Sequence, residues 1–471
     1  MLSQINLSSV ITRLDWIIFT LVLLLTLSSV FYGEYLKRKT VHSEKETFLD
    51  LLIMGRKLTL PMFIGTLVAT WYGGIFGVTK IAFNNGIYNF ITQGLFWYIS
   101  YLVFAFFMVD KIDKYEAITL PDLIKKMFGE KSSLLAGVFN FFNVLPIAYT
   151  ISIGLFSQMI FGGPLWLNMS AGVALVIMYS YIGGIRAVIF SDLIQFFVMC
   201  FGVLIVLIIS IYKFGGLSFL KSSLPDSYFS PTGTQGLSLT LVWGLIAFST
   251  LVDPNFYQRC FAAKDKKVAK KGIIISTFIW FCFDICTTFG AMYAKSVIPD
   301  ANPSDAYLTY SAQLLPSGLR GLFLAGILAT ILSTLDSYLF LAGTTLSYDL
   351  APKKFKGKVW FHHLGIILVG LISLLMSFIF EGNIKEVWKT LGSYSAGCLL
   401  IPVVLGHLFP KKIRDYQFCA SCLTGVIGIS VWRSIERSGF WANIDDLYIG
   451  VICSILGLLI SRVFYLKSEP T

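Results

Sequence analysis

Charged residues are scarce in this sequence. Only 13% of its 471 residues are Asp, Glu, Lys or Arg, whereas 56% are hydrophobic and the mean hydropathy is +0.75. A soluble globular domain carries about 25% charged residues, so this composition excludes an ordinary soluble protein. It is typical of a chain that crosses a lipid bilayer many times.

The common motifs of enzymes that hydrolyse nucleotides, peptides or esters are absent. There is no G-x-x-x-x-G-K-[ST], no H-E-x-x-H and no G-x-S-x-G. The longest stretches between apolar runs are too short for a catalytic or ATPase domain, and they lie near 34–57, 110–131, 213–235 and 295–319. We therefore expect no enzyme activity and no cofactor, which leaves transport, channel or receptor roles.

Cysteine and histidine show no metal-site spacing. Cys419 and Cys422 form a C-x-x-C pair, but no second pair and no histidine lies nearby. Most of the other cysteines fall within apolar runs, where a thiol usually serves as a small apolar filler. The sequence therefore predicts no site for a transition metal.

Apolar runs long enough to cross a bilayer recur along the chain. A span needs about 20 residues, and about thirteen runs satisfy this requirement. We expect an all-α integral membrane protein with spans near 14–33, 58–81, 87–109, 133–161, 164–182, 187–212, 236–257, 272–294, 321–350, 360–380, 386–407, 416–432 and 447–466.

The net charge of +11 follows from membrane topology. Basic residues concentrate in alternate loops, such as 37–57, 111–131, 264–271 and 353–358. Cytoplasmic loops carry an excess of Lys and Arg, so this pattern predicts a multi-pass protein of the cell membrane with an external N-terminus and a cytoplasmic C-terminus. A lipid bilayer explains the basic charge without a nucleic-acid partner.

Four acids lie inside predicted spans, namely Asp192, Asp253, Asp284 and Asp336, and no Lys or Arg is expected at comparable depth. An ionised carboxylate in hydrocarbon costs about 2.5–3.5 kcal/mol on insertion scales. It therefore needs a cation, a proton or dense hydrogen bonding. An acid-biased interior favours a cation path, and the alternative is acids that are kept protonated or bonded to neighbouring helices.

Two spans contain helix-breaking residues. Gly73 and Gly74 interrupt "LVATWYGGIFG" (67–77), and Pro254 interrupts "STLVDPNFYQR" (249–259). Broken helices in corresponding positions of two five-helix halves are typical of inverted-repeat transporters, whereas close helix packing is the alternative explanation for the glycines. The halves would be 58–213 and 236–407.

Three motifs resemble the sodium:solute symporter family. They are "MGRKL" (54–58), "IGGIRAVIFSDLIQ" (182–195) and "LSTLDS" (332–337). The resemblance covers nearly the whole chain and implies a single transmembrane domain, 1–471, with a LeuT-like 5+5 inverted-repeat core. One extra helix (14–33) would precede this core and two C-terminal helices (414–467) would follow it.

The resemblance also implies where sodium binds. The family's sodium site falls on the backbone carbonyls of Ala69, Tyr72 and Thr330 and on the hydroxyls of Ser333 and Thr334. Some members have a further sodium site, and its positions match Asp192, Asp336 and Ser337. All these ligands are oxygen atoms, as a hard cation requires.

The motifs "ATWYGG" (69–74) and "FYQR" (256–259) are similar to those of choline-transporter-like members, although Asp253 and Pro254 depart from that pattern. An aromatic wall beside the Asp253 carboxylate suits an amine or another cationic solute. The alternative is that Asp253 caps its helix or pairs with Arg259. Candidates for lining the solute site are Trp71, Tyr88, Gln93, Asn140, Trp243 and Asp253.

These features together predict a sodium-coupled symporter that imports a small organic solute by alternating access. A proton-coupled symporter of a neutral or zwitterionic solute is one alternative. A membrane sensor derived from a transporter and a sodium-leak channel are the others, although the isolated acids supply no continuous polar stripe for a channel.

Overall fold

The protein is described by a computed structural model that covers residues 7–40, 44–438, 441 and 444–468. These residues form helices without a β-strand, apart from one bridge between Leu58 and Ala263. Ten helical segments among them are long and apolar enough to cross a membrane. The all-helical membrane architecture is confirmed, while the count of thirteen spans stays a prediction.

The helices follow one another as α1 (Arg13–Thr40), α2 (Glu44–Ile53), α3 (Leu60–Ala69), α4 (Ile75–Asn85), α5 (Phe90–Tyr115), α6 (Leu120–Met127), α7 (Glu130–Asn143), α8 (Ile147–Phe161), α9 (Leu165–Phe214), α10 (Leu217–Ser223), α11 (Gly236–Ala247), α12 (Pro254–Ala262), α13 (Lys266–Val297), α14 (Ala306–Leu314), α15 (Leu319–Asp349), α16 (Val359–Ile379), α17 (Ile384–Leu408), α18 (Asp415–Ser434) and α19 (Asp446–Ser468). Three of them, α5, α15 and α17, contain short π-helical segments.

The spans predicted at 164–182 and 187–212 both belong to helix α9. Gly184 kinks this helix with a φ of 61°, a conformation that glycine adopts without steric cost. A Cβ atom at this position would also lie 3.2 Å from the carbonyl oxygen of Leu51. The kink therefore lets the short helix α2 pack closely against α9 at Gly184.

The first predicted helix break is present between α3 and α4. Helix α3 ends at Ala69, helix α4 begins at Ile75, and the residues between them are not helical. A Cβ atom on Gly74 would overlap the indole ring of Trp388 in α17. Close approach of neighbouring side chains therefore requires glycine here, whereas the backbone of Gly74, with a φ of −93°, is open to other residues.

The second predicted break lies between α11 and α12. A 3₁₀ turn, Phe248–Val252, follows α11, and Pro254 then opens α12. Proline is favoured in the first turn of a helix because its missing N–H would have no intrahelical partner there. Asp253 caps the new helix by accepting the backbone N–H of Asn255 at 2.7 Å.

The two interrupted helices meet at their breaks. The side-chain amide of Asn255 in α12 donates to the hydroxyl of Thr70, just after α3, at 3.3 Å. The rings of Trp71 and Phe256 pack edge to face with centroids 5.9 Å apart. Non-helical backbone from both halves is therefore gathered in one buried region.

Helix α1 docks onto α15 through a buried carboxylate. Asp15, with 0% exposure, accepts the backbone N–H groups of Gly318 and Gly321 at 2.7 and 2.9 Å. Its second oxygen accepts from Arg320 at 3.3 Å. The additional N-terminal helix is thus attached to the helix in which "LSTLDS" lies.

The two C-terminal helices, α18 and α19, pack against each other. The hydroxyls of Ser421 and Ser454 lie 2.8 Å apart, and Gly425 lets the backbone of Gly397 in α17 approach closely. This pair therefore attaches to the outside of the bundle beside α17.

Candidate functional site

Four of the five expected sodium ligands lie together where α3 ends beside α15. The Ser333 hydroxyl donates to the carbonyl oxygen of Ala69 at 2.6 Å. The Thr334 hydroxyl donates to the Thr330 carbonyl at 2.8 Å and lies 3.5 Å from the Ala69 carbonyl. All four residues are at most 1% exposed. We call these residues the oxygen cluster.

Tyr72, the fifth expected ligand, lies in the non-helical segment beside this cluster. Its neighbour Gly73 is in contact with α15, since a Cβ atom on Gly73 would lie 2.8 Å from the Thr334 hydroxyl oxygen. No backbone hydrogen bond involves Tyr72 in the described part of the chain. The Tyr72 carbonyl is therefore available as a ligand.

The oxygen cluster has the chemistry of a site for a hard monovalent cation. Its donors are backbone carbonyls and neutral hydroxyls, and a helix that ends leaves its last carbonyls without intrahelical partners. Carbonyls freed by unwound membrane helices coordinate sodium in transporters of this architecture. Among the described residues, no group of His, Cys, Asp and Glu could hold a metal ion.

The residues of the expected second sodium site surround a buried arginine. Arg259 in α12 is 2% exposed and donates to the hydroxyls of Ser337 and Thr66 at 2.9 and 3.3 Å. The Thr66 hydroxyl donates to Asp192 at 2.5 Å. The expectation that no basic side chain reaches the depth of the acids is wrong. Helix α12 begins at the break inside the bundle, so Arg259 in its second turn is buried.

Asp336 lies next to this group but has a different partner. Its carboxylate accepts the hydroxyl of Ser180 in α9 and is 2% exposed. One oxygen of Asp192, in contrast, has no hydrogen-bond partner among the described residues. Two carboxylates and one guanidinium therefore share a region from which water is excluded.

A cavity of about 120 Å³ lies between the two breaks. Four of the six residues expected at the solute site line it: Trp71, Gln93, Trp243 and Asp253. Further aromatic residues complete the wall, and several polar groups face the same space. The additional lining residues include Tyr72, Trp97, Asn143, Tyr149, Ser249, Tyr338 and Trp388.

Tyr88 and Asn140, the other two candidates, lie outside the lining. Tyr88 is 1% exposed and packs against Gly233, in the loop that precedes α11. Asn140 donates its amide to the hydroxyl of Thr345 at 3.0 Å, which turns it toward α15. Helix packing explains both side chains.

The sequence alone did not identify Trp97, Trp388, Tyr149 or Tyr338 as part of the wall. A tryptophan or tyrosine in an apolar span resembles ordinary core packing, and only the approach of distant helices selects these four. The glycine pair at 73–74 was the available signal, because it indicates that bulky side chains press against the break. It does not tell which side chains these are.

Asp253 both caps a helix and lines the cavity. Its oxygen Oδ1 accepts the N–H of Asn255, while the carboxylate faces the cavity between the breaks. The capping alternative raised by the sequence is therefore present, and it does not remove Asp253 from the cavity lining.

The model of the sodium:solute symporter family matches residues 52–425. The chain belongs to the sodium:solute symporter family. Members of this family are multi-pass membrane transporters that use sodium as the coupling ion, so the expectation of a transporter rather than an enzyme is confirmed. The matched residues contain both helix breaks, the oxygen cluster and the cavity.

Several curated symporters are similar to this family member. A sodium/pantothenate symporter of Haemophilus influenzae is 28% identical over 298 residues, which cover 59% of this chain and 61% of that protein. The Escherichia coli sodium/pantothenate symporter is 24% identical and covers 73% and 75% of the two chains. The proline transporter PutP of Bacillus subtilis is 24% identical, with coverage of 69% and 72%.

The fold of this symporter-family chain is also found in solved structures. A sodium-coupled sialic acid symporter, in a substrate-bound outward-open state, superimposes with a TM-score of 0.76 over 96% of this chain and 98% of that one, at 18% identity. A manganese transporter of Eremococcus coleocola superimposes with a TM-score of 0.52 at 13% identity. The LeuT-like fold is thereby confirmed.

A substitution at Gly73 tests whether the break and the oxygen cluster depend on each other. An alanine Cβ would lie 2.5 Å from the Thr334 Cβ and force Thr334 away, so we expect Gly73→Ala to raise the sodium concentration for half-maximal thermal stabilisation about tenfold. Gly202→Ala is the matched control, because its Cβ would meet its nearest neighbour at an ordinary 3.5 Å. A wild-type sodium curve for Gly73→Ala would contradict this dependence.

Proposed function

We propose that the protein is a sodium-coupled symporter that imports a small organic solute by alternating access. One observation supports the proposal: Trp71 and Tyr72 line the cavity between the two helix breaks, and the next residue, Gly73, packs against Thr334 of the oxygen cluster. Membership of a family of sodium-coupled transporters supports the same function.

Coupling follows from where the cation would bind. Sodium at the oxygen cluster joins the end of α3, in the first half of the core, to α15 in the second half. Occupancy then favours the arrangement in which these helices touch, and release favours their separation. A ligand shifts such an equilibrium only through its different affinity for the two states, so the cation must lose ligands when the helices part.

Removing hydroxyl ligands tests the sodium site. Ser333→Ala and Thr334→Ala each delete one ligand without opening a large cavity, so we expect each to raise the half-saturating sodium concentration about tenfold while expression is unchanged. The measurement is thermal stability of the purified protein against sodium concentration, with potassium as the balancing salt.

Thr330→Val is the matched control for these variants. The Thr330 hydroxyl donates to Ile327 of its own helix, and only the Thr330 carbonyl is assigned to sodium, so this variant keeps every ligand. If the Ser333→Ala/Thr334→Ala double mutant retains the wild-type sodium curve, the site assignment is wrong. Uptake driven by a proton gradient without sodium would favour the proton-coupled alternative.

We also propose a second sodium ion near Asp192, Asp336 and Ser337. Two carboxylates and the Arg259 guanidinium leave one negative charge in a water-free region if all are ionised, and one further monovalent cation would neutralise it. The unpartnered oxygen of Asp192 supports this proposal, since a buried acceptor without a partner is costly.

The cooperativity of sodium binding tests this second site. With two sodium ions coupled, the wild-type Hill slope lies above one, and Asp192→Asn and Asp336→Asn should each reduce it to about one. Ser191→Ala is the control, because the buried Ser191 hydroxyl donates only to Val188 of its own helix. A wild-type slope of one, or slopes unchanged in both variants, would mean that the acids serve structure alone.

We propose that the solute is an amine or another organic cation. The cavity is walled by tryptophan and tyrosine rings, which attract a desolvated cation by up to about 2 kcal/mol. Asp253 adds a carboxylate, and it already occupies the N-terminus of α12 that would otherwise attract an anion. Both features disfavour an anionic solute.

A screen by thermal stabilisation in sodium buffer tests the solute class. We expect quaternary ammonium compounds to stabilise the protein, and pantothenate to have no effect. The affinity of the quaternary ammonium compounds should fall about tenfold in Trp71→Ala and in Asp253→Asn. Asparagine at position 253 keeps the helix cap but removes the charge. Tyr88→Phe lies outside the cavity and should leave the affinity unchanged.

The outcome that contradicts this solute class is equally direct. Stabilisation by pantothenate, by proline alone, or by cations with equal affinity in Trp71→Ala and Asp253→Asn would exclude it. The sodium-coupled function would remain, since its test uses sodium without solute.

A further inference from the structure

Asp284 is a buried acid that has no part in the oxygen cluster, the second sodium site or the cavity lining. It lies in the middle of α13 with 1% exposure. A carboxylate at this depth requires partners, because desolvation of the charge is costly. Its partners identify what it does.

Two tyrosine hydroxyls meet this carboxylate. The Tyr98 hydroxyl, from α5, donates to Oδ2 of Asp284, and the Tyr72 hydroxyl interacts with the same carboxylate. Gly94 lets α5 approach this closely, since a Cβ atom there would lie 3.2 Å from Oδ2. The other oxygen of Asp284 has no partner among the described residues.

Tyr72 connects this acid to the transport sites. Its ring lines the cavity and packs on Phe283, the residue before Asp284, with centroids 4.1 Å apart. Its backbone carbonyl is the expected fifth sodium ligand, next to Gly73 and Thr334. One residue therefore lines the cavity and also carries the carbonyl that we propose as a sodium ligand.

The backbone alone does not fix the orientation of this carbonyl. Residues 70–74 lie between two helices, and no backbone hydrogen bond holds Tyr72 in the described structure. The side-chain contacts with α13 are then the attachments that set the rotation of the peptide. A displaced Tyr72 ring would turn the carbonyl away from the oxygen cluster.

We propose that Asp284 is a positioning residue that holds Tyr72, and thereby sets sodium affinity, without contacting sodium itself. The inference rests on the proposed sodium-coupled function. It also explains how the two ligands communicate, because a solute that presses on the Tyr72 ring changes the position of a sodium ligand through the same anchored side chain.

The test uses sodium alone as the probe, with potassium as the balancing salt, and the purified full-length protein. We expect Asp284→Leu and Tyr72→Phe each to raise the half-saturating sodium concentration for thermal stabilisation about fivefold or more. The double mutant should be no worse than either single mutant, because both remove the same attachment. Thermal stability without sodium serves as the measure of folding.

Two controls separate positioning from general loss of structure. Asp284→Asn keeps an oxygen that can accept from Tyr98 and face Tyr72, so its sodium curve should stay within about twofold of wild type. Thr277→Val removes a hydroxyl, two turns away, that donates only to the Ile273 carbonyl of its own helix, and it should have no effect.

The outcomes distinguish this inference from the proposed function. If sodium does not stabilise the wild-type protein, the proposed function is wrong. If sodium stabilises the wild type and the half-saturating sodium concentration of Tyr72→Phe equals that of the wild type, the role of Asp284 is wrong. Tyr72→Phe keeps the ring and the carbonyl, so it tests whether Asp284 positions Tyr72 even if Asp284→Leu does not fold. An additive double mutant would likewise exclude a shared attachment.

Discussion

Backbone polar groups cannot remain unpaired in a lipid bilayer, and the arrangement of this protein depends on that constraint. The chain loses helical hydrogen bonds at 70–74, deep inside the bundle. Side chains from distant helices then supply partners: the Ser333 hydroxyl in α15 donates to the Ala69 carbonyl, and the Trp280 indole N–H in α13 donates to the Val68 carbonyl. Indole packing by Trp388 covers the glycine backbone. An interruption that would be unstable alone is thus enclosed by protein.

The same enclosure explains why so many polar residues lie at one depth. Acids, hydroxyls and one guanidinium surround the ends of α3 and α12, and each is hydrogen-bonded or faces an oppositely charged neighbour. Each of these buried charges costs desolvation free energy, and the attraction between the arginine and the carboxylates offsets part of that cost. The polar centre is therefore a connected network instead of a set of isolated defects.

Local signals in the sequence predicted the breaks, because glycine and proline act on their own backbone. The oxygen cluster was predicted from motifs whose residues are near in sequence or match a family pattern. Trp97 and Trp388 were not, since their place at the cavity depends on which distant helices approach each other. Arg259 follows the predicted span 236–257, so it was not expected at the depth of the acids. Because α12 begins at Pro254 inside the bundle, position 259 lies only about 7.5 Å along the helix from the break.

The carboxylate of Asp15 has a mechanical consequence for transport. It attaches α1 to the N-terminal end of α15 through two backbone N–H groups and Arg320. Many hydrophobic side chains of α1 are exposed on the surface of the protein, where lipid would surround them. Helix α15 is therefore anchored to the bilayer through its neighbour. In the proposed transport cycle, release of a cation from the contact between α15 and α3 would leave the interrupted helix as the partner that tilts.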